Sequence, residues 1–490
     1  MQCFARRLFR AASAVITTNA IATEELVSGA KSATATTASA MAAVTTAESA
    51  GAAVNARKRG PIPPRGVDYR GKVVLAPMVR SGELPMRLLS LHYGADLVWG
   101  PETVDRSMIG TTRRINPHTN MIEYSRMPTN VVPHVTKESI IYRIDPVREA
   151  GKLVFQIGTA DPDLAVQAAK IFAADVYGID VNAGCPKPFS THGGMGAALL
   201  RTPDKLVAIL EALVREISPV FGIGISVKIR LLETAADTEA LVRRLVATGI
   251  TGLTVHCRTT PMRPREAAIR GQLKMIREVC HEAGVACVMN GDVESRDHAA
   301  VLMEEYGTDG AMIATSAEKN PSCFRTAQDG GLENWKEVVK HYLKFAMEVG
   351  NKVGNTKYSL GMLIEGKAPE MRLLSPPKCY TDLIKALGYA DTVVDEGITM
   401  LEMARKTDQI LEVGEFAPPP MPKAKKGKQQ QNQNGTQVQG QKRKRTPSPG
   451  ANAKVAAMKS GDKEAISEAL RQAEETTAAA IPPAAATAAV

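Results

Sequence analysis

Eight short apolar runs that alternate with helix-like segments constrain the fold of this chain more than any other feature. Each run has the length and side-chain content of a buried strand, and turn residues bound most of them. The runs lie at residues 73–76, 95–99, 153–157, 177–181, 225–229, 252–255, 285–289 and 310–314, with amphipathic segments at 163–172, 203–217, 238–248 and 268–283. This pattern predicts an α/β fold, a TIM (β/α)8 barrel over residues 67–325. An open doubly wound sheet is the alternative, but it lacks the expected glycine pattern after its first strand.

A glycine-rich loop with a cysteine follows the fourth run. Asn182-Ala-Gly-Cys-Pro186 lies past the end of a predicted strand, and Gly193, Gly194 and Gly196 follow it. In a barrel, residues at the carboxyl ends of the strands face the active site, which makes Cys185 a candidate catalytic residue. Glycine has no Cβ, so this loop is expected to approach a flat ligand closely. The alternative is a buried structural cysteine.

The same loop resembles the signature of a known enzyme family. Asn-Ala-Gly-Cys-Pro at 182–186, followed by Lys187, Ser190 and Gly-Gly-Met-Gly at 193–196, is similar to the motif of the tRNA-dihydrouridine synthases. These are FMN-dependent enzymes that reduce uracil in tRNA. The resemblance is greatest to the eukaryotic branch that acts at position 20 of the tRNA D-loop, and it covers roughly residues 70–412.

Polar residues recur at the carboxyl ends of six of the predicted strands. Any one of them alone is explained as a hydrogen-bonded core residue, but burying so many polar groups at one face is costly without a ligand. Together with the Pro-Met pair after the first strand and the small residues after the last two, the set is Pro77, Met78, Gln156, Asn182, Lys228, His256, Asn290, Gly291, Asp292, Ala314 and Thr315. A bound polar ligand is the simplest common explanation.

A flavin fits this set chemically. The amide of Gln156 suits the pyrimidine edge of the ring, and the Lys228 cation would stabilise the negative charge of the reduced ring. The resemblance implies that these positions bind FMN and that Pro77 and Met78 lie along the ring. The phosphate is expected near His256, on the backbone N–H groups of Gly291, Asp292, Ala314 and Thr315.

Thr315 departs from the family pattern. Relatives usually have arginine at this position, so the resemblance implies a weaker phosphate site here unless another cation substitutes.

The resemblance also implies a mechanism. NADPH reduces FMN, the flavin passes hydride to C6 of a uracil, and Cys185 protonates C5 as the general acid. The ordinary pKa of a cysteine, about 8.5, keeps the thiol protonated at neutral pH, although neighbouring Lys187 could lower it. The uracil must leave its base stack to reach the flavin, and Asn182 and Lys187 are the expected substrate contacts.

Two other functions compete with this one. The first is an FMN barrel that acts on a free pyrimidine base or a dihydroorotate-like substrate. The second is a non-catalytic RNA-binding protein on a barrel scaffold. The first alternative does not explain the helical domain and the basic tail, because a small substrate needs neither. The second is disfavoured because Cys185, Lys228 and His256, the residues expected for catalysis, are all present.

Segments outside the barrel suggest further parts. Helical spacing recurs at 335–349, 355–366, 376–387 and 395–411, which predicts a small helical domain over residues 326–414. Asn355-Thr-Lys-Tyr358 and Arg372-Leu-Leu374 resemble the family's helical domain, which implies tRNA binding. Residues 101–151 are long for one strand-to-helix connection, so they are either a lid or substrate loop or an inert insertion.

Both ends of the chain have the composition of disordered extensions. Residues 1–66 form a low-complexity leader. Phe4, Leu8 and Ala12 fall on one helical face and three arginines lie mostly beside or opposite it, as in a mitochondrial transit peptide: Arg6, Arg7 and Arg10. Residues 415–490 form a basic and alanine-rich tail, which is also compatible with nuclear import or RNA binding. We therefore expect a mitochondrial location, with a cytoplasmic or nuclear one as the alternative.

The composition excludes several classes of protein. The net charge of +10 equals the ten basic residues, without acids, between Phe416 and Ser460, so the rest of the chain is neutral overall. The seven cysteines include no C-x-x-C pair, which indicates neither a zinc site nor a disulfide framework. No apolar run is long enough for a membrane span. The expected partners are tRNA and NADPH, with no metal and no membrane.

Overall fold

The computed structural model describes residues 60–127, 138–395 and 397–413, and these belong to one compact unit. Eight parallel strands form a closed sheet, because β2 pairs with β1 on one side and with β7 on the other. In order round the barrel they are β1 (Lys72–Leu75), β2 (Leu97–Trp99), β7 (Leu153–Gly158), β8 (Gly178–Ala183), β9 (Gly224–Leu231), β10 (Gly252–Thr259), β11 (Ala286–Asn290) and β12 (Gly310–Ile313). The predicted barrel is confirmed.

Helices cover most of the outside of the barrel. They are α1 (Leu84–His92), α2 (Asp105–Met108), α3 (Pro162–Phe172), α4 (Pro188–Thr191), α5 (Pro203–Glu216), α6 (Ser218–Phe221), α7 (Ala235–Val246), α8 (Leu273–Ala283), α9 (Arg296–Tyr306) and α10 (Thr315–Lys319). Local chemistry sets their ends. The Asp161 side chain accepts from the first N–H groups of α3, Pro162 occupies the first turn, and Gly284 ends α8 in a left-handed conformation.

The inside of the barrel is divided between an apolar lower layer and a polar upper one. Below, Tyr69, Val74, Trp99 and Val288 pack together and close the amino-terminal end. A Cβ at Gly252 would lie 2.5 Å from the Tyr69 ring, so a glycine is needed there to admit the tyrosine. Polar side chains occupy the upper layer, where the strands end.

An antiparallel sheet takes the place of a barrel helix between β2 and β7. After the short strand β3 (Thr103–Val104) come β4 (Thr112–Ile115), β5 (Ile122–Arg126) and β6 (Ser139–Ile144). Tyr124 and Tyr142 of this sheet are buried, and the Tyr142 ring packs against Phe155 of β7. Much of the predicted 101–151 insertion therefore forms part of the barrel wall, although residues 128–137 lie outside the described residues.

Within the described residues, four helices follow the barrel. They are α11 (Trp335–Glu348), α12 (Val353–Leu363), α13 (Tyr380–Ala386) and α14 (Met400–Val413), with a small hairpin of β13 (Val393–Asp395) and β14 (Ile398–Thr399). A buried hydrogen-bond cluster joins α12 to α13: the Tyr380 hydroxyl lies 2.7 Å from Thr356 Oγ1 and donates to the Asn351 carbonyl oxygen at 2.9 Å. The helical part that the sequence predicts is present.

An ordered segment precedes the barrel. Residues 60–66, here called the N-terminal strap, hydrogen-bond to the amino-terminal end of the barrel through Gly60 N–H to the Gly284 carbonyl oxygen and Arg65 N–H to that of Gly222. The sequence prediction placed these seven residues in the leader, outside the fold. Residues 1–59 and 414–490, which hold the rest of the predicted leader and the basic tail, lie outside the described residues.

Candidate active site

A cavity of about 360 Å³ opens at the carboxyl ends of the barrel strands. It gathers most of the residues that the sequence singled out, from six strands or the loops that follow them. Those predicted residues are Pro77, Met78, Gln156, Asn182, Cys185, Lys187, Lys228, His256, Ala314 and Thr315. These residues are far apart in the sequence but close in space, because the parallel strands of a barrel all end at the same face.

The loop that carries Cys185 is held by its own residues. The Asn182 Oδ1 atom accepts from the backbone N–H groups of Gly184 and Cys185, each at 3.0 Å. Asn182, predicted as a substrate contact, therefore uses its amide oxygen to shape the loop. The predicted close approach of glycines is made to the protein itself: a Cβ at Gly196 would lie 2.5 Å from the Cys185 carbonyl oxygen.

The Cys185 thiol is half-buried beside a carboxyl group. Burial raises the pKa of Cys185 above its ordinary value, and the charge of Glu102 adds to the shift, whereas Lys187 and Arg230 oppose it. The thiol therefore keeps its proton at neutral pH, as a general acid must. Lys187, the neighbour expected to lower this pKa, does not overcome the effect of burial.

Gln156 is fixed by a buried acid. Its Nε2 donates to Asp180 Oδ2 at 2.8 Å, and the other oxygen of Asp180 accepts from Ser226 Oγ at 2.8 Å. Burial raises the pKa of Asp180 to about 6. Since one N–H of the Gln156 amide is used in this way, its orientation is set and the remaining polar atoms are available to a ligand.

Lys228 supplies an incompletely neutralised cation to the cavity. Burial lowers its pKa to about 8, Arg230 contributes to the shift, and the Asp180 charge opposes it. Within the described ranges, the ammonium group has no hydrogen-bond or ion-pair partner. A cation in such a setting favours an anionic ligand, because burying a charge without a partner is costly.

His256 is kept neutral. Burial lowers its pKa to about 2, and the charges of Lys228, Arg230 and Arg258 add to the effect. Its Nε2 lies 3.1 Å from Arg258 NH1. Because a guanidinium can only donate, Nε2 is the acceptor and Nδ1 carries the hydrogen. His256 therefore presents a hydrogen-bond donor without carrying a charge.

Three residues of the predicted cofactor site, Asn290, Gly291 and Asp292, do not line the cavity. Asn290 Nδ2 donates to the Met312 carbonyl oxygen at 2.9 Å, and Asp292 accepts from Arg258 NH2 at 2.5 Å and from the Ala268 N–H at 2.7 Å. Gly291 lies between them with φ of +114°. Of the four residues proposed to hold a phosphate, only Ala314 and Thr315 reach the cavity.

Several residues that the sequence argument missed also line the cavity. Glu102 follows β2, the strand for which no polar end residue was assigned, and Arg230 lies two residues beyond Lys228 on the same face of β9. Both could have been found by the strand-end rule. Tyr358 and Met362 come from α12 of the helical part, and no local pattern in the sequence links them to the barrel.

The described residues contain neither a group of three or more potential metal-binding side chains nor a helix long and apolar enough to cross a membrane.

The fold and the site define an α/β-barrel oxidoreductase in which a protonated thiol, a fixed amide and a buried cation share one cavity. The model of the dihydrouridine synthase (Dus) family matches residues 74–367, and the chain belongs to this family.

Relatives in fungi and in humans are similar over 60% to 65% of this chain. The chain is 49% identical over 325 residues to tRNA-dihydrouridine(20) synthase of Schizosaccharomyces pombe, an alignment that spans 65% of each chain. It is 46% identical over 309 residues to the protein of the same name from Saccharomyces cerevisiae, spanning 62% of this chain and 79% of that one. A human protein named tRNA-dihydrouridine(20a/20b) synthase-like is 28% identical, over 60% of this chain and 82% of its own length.

Proposed function

We propose that this chain reduces the C5=C6 bond of the uridine at position 20 of the tRNA D-loop, with FMN as cofactor and NADPH as reductant. The observation that carries the proposal is the cavity in which Cys185 meets Gln156 and Lys228, in a chain of this family. Two fungal relatives, 49% and 46% identical to this chain, are named for position 20 and for NAD(P)+.

The residues of the cavity fit FMN. The partnerless Lys228 ammonium suits the anionic edge of a reduced ring, and the Gln156 amide, held by Asp180, suits its pyrimidine edge. When bound, FMN would supply the hydride. The phosphate is assigned to Ala314 and Thr315, with neutral His256 as a nearby N–H donor. Gly291 and Asp292 stay candidates through their backbone N–H groups alone.

Cys185 supplies the proton. Its raised pKa keeps the thiol protonated at neutral pH, so the S–H hydrogen is available for C5 of the uracil as negative charge develops there. The thiolate left behind is stabilised by the nearby cations Lys187 and Arg230. Asn182 holds the loop that presents the sulfur, and Lys187 at the cavity edge is the proposed contact to RNA.

The cavity also favours a polynucleotide over a free base. Tyr358 and Met362 of the helical part form one side of it, and the Arg80 guanidinium lies 4.0 Å from the centre of the Tyr358 ring. A free pyrimidine needs no such second wall, whereas a base extruded from RNA brings flanking nucleotides with it. We therefore assign tRNA binding to the helical part, and we keep the mitochondrial location as a proposal.

Dihydrouridine mapping at nucleotide resolution tests the function. Cells that lack the chain should lose dihydrouridine at position 20, and Cys185→Ala should fail to restore it while still binding FMN by its absorbance. Cys379→Ser, which changes a thiol in the helical part, should restore it fully. Separate mapping of cytosolic and mitochondrial tRNA identifies the compartment.

Unchanged tRNA in both pools would contradict the proposal. Oxidation of NADPH that a free pyrimidine stimulates, and tRNA does not, would instead support a barrel that acts on small substrates.

A further inference from the structure

Glu102 is a carboxyl group of the cavity to which the proposed reaction assigns no role. It follows β2 through Gly100 and Pro101 and lines the same cavity as Cys185. One carboxyl oxygen, Oε1, accepts from Ser190 Oγ at 2.9 Å. The other oxygen, Oε2, is buried and has no hydrogen-bond partner of ordinary geometry among the described residues.

Two separate segments are shaped around this carboxyl group. At the end of β7, a Cβ on Gly158 would lie 2.6 Å from Glu102 Oε1, so the glycine makes room for the acid. In the cysteine loop, Ser190 is fully buried and holds Oε1, and Gly196 in turn makes room for the Ser190 hydroxyl, which a Cβ would approach to 2.5 Å. A surface carboxylate would need none of these adjustments.

The carboxyl group interacts with the catalytic thiol. Burial raises the pKa of Glu102, and the neighbouring side chains of Ser190, Asn182 and Cys185 oppose this shift. In return, the Glu102 charge raises the pKa of Cys185. The cations Lys187 and Arg230 lower the pKa of the thiol, and Lys228 is also coupled to it. Glu102 is thus an acidic residue electrostatically coupled to the Cys185 thiol, which must lose and regain a proton in each turnover.

We propose that Glu102 positions the Cys185 thiol and returns a proton to it after each turnover. This inference rests on the proposed function. In the resting enzyme the charge of the neighbouring carboxylate keeps the thiol protonated. When Cys185 has given its proton to C5, the thiolate charge favours protonation of Glu102 by water from the cavity, and Glu102 passes that proton to the sulfur. One solvent proton is consumed per turnover, and no electrons move in this step.

Alkylation of Cys185 by iodoacetamide across a pH series tests the coupling without tRNA. Cys3 and Cys379 are first replaced by serine, since the other four cysteines are buried. Removing a neighbouring negative charge favours the thiolate, so Glu102→Gln should alkylate roughly threefold faster or more at pH 7.5. Glu318→Gln is the matched control, because Glu318 lines the same cavity but bonds to Ser81, and its profile should be unchanged.

Turnover on tRNA tests the proton return. Glu102→Gln should leave the first turnover of pre-reduced enzyme within about twofold of the wild type, because Cys185 starts protonated. Its steady-state rate should fall at least tenfold, and Glu102→Asp should recover part of it. FMN absorbance and the thermal midpoint confirm that each variant is folded.

An alkylation profile of Glu102→Gln that superimposes on the parent, or a steady-state rate equal to the wild type, would overturn the proposal. If the wild type itself makes no dihydrouridine, the proposed function fails, whereas the alkylation profiles still decide whether Glu102 controls Cys185.

Discussion

Gly196 shows how closely the cysteine loop packs against itself. Its φ of +58° lies in the left-handed region, which most residues adopt only with strain. A Cβ there would also lie 2.5 Å from both the Cys185 carbonyl oxygen and Ser190 Oγ. The position of the thiol therefore depends on a residue that has no side chain and does not line the cavity.

Gly196→Ala should therefore destabilise the protein and inactivate it. Backbone strain and the clash together should cost roughly 1–3 kcal/mol in the free energy of unfolding, measured by chemical denaturation. The displaced thiol should lower dihydrouridine formation more than tenfold. Gly271→Ala is the control, because nothing lies within 4 Å of a Cβ built there and its φ is ordinary. Equal stability of the two variants would show that the loop relaxes freely.

Much of the site could be predicted from single residues at strand ends. Gln156, Lys228 and His256 stood out because polar groups at the ends of apolar strands need partners, and the structure places all three in the cavity. The position of a residue at a strand end does not predict which way its side chain points. Asp292 also ends a strand, but its side chain faces Arg258, a choice that depends on the loop at residues 260–272.

A buried ion pair connects the wall sheet to the barrel helices. Glu149, which follows β6, accepts from Arg87 of α1 at 2.6 Å and 3.2 Å and from the Asp145 N–H at 3.0 Å. Both side chains of the pair are 1% exposed. Removing one partner would leave the other charge buried and unpaired.

Glu149→Ala should be one of the most destabilising single changes in the chain. The unpaired Arg87 guanidinium should cost about 3–5 kcal/mol, seen as a lower denaturation midpoint. Glu216→Ala removes an exposed carboxylate from a surface pair with Lys170 and should leave the midpoint unchanged. A similar small effect of both changes would mean that water reaches Arg87.

Strands were easier to predict than helices and insertions. All eight barrel strands lie within a few residues of the predicted apolar runs, because a strand buried on both faces is apolar throughout. The predicted helix at 268–283 begins only at Leu273, since the preceding residues pack as a loop against β10 and β11. The antiparallel sheet was missed because its strands combine charged and apolar residues without a clear period.

The cavity is shared between the two parts of the described chain. Asn355 Nδ2 of α12 donates to the Arg80 carbonyl oxygen at 2.7 Å, and Tyr358 of the same helix lines the cavity. The two parts can be identified from the sequence alone. The position of α12 over the barrel cannot be predicted in this way, because it is determined by packing between distant segments. The barrel by itself would leave the site open on one side.

The N-terminal strap should contribute to the stability of the whole fold. A chain that begins at Val67 loses the Arg65 hydrogen bonds to the Ala174 and Phe221 carbonyl oxygens, at 2.7 Å and 3.2 Å, in addition to the backbone pairs. Its thermal midpoint should fall by at least about 3 °C relative to a chain that begins at Gly60. The full chain and the chain that begins at Gly60 should have the same thermal midpoint. If the chain that begins at Val67 also has this midpoint, the strap does not contribute to stability.

The strap also limits how the precursor of such a protein can be matured. A protease that removes a targeting leader has to cut before Gly60, because a later cut would delete residues that cover the closed end of the barrel. The proposed targeting function and catalysis would therefore be separated at Gly60, on the side of the barrel opposite the active site.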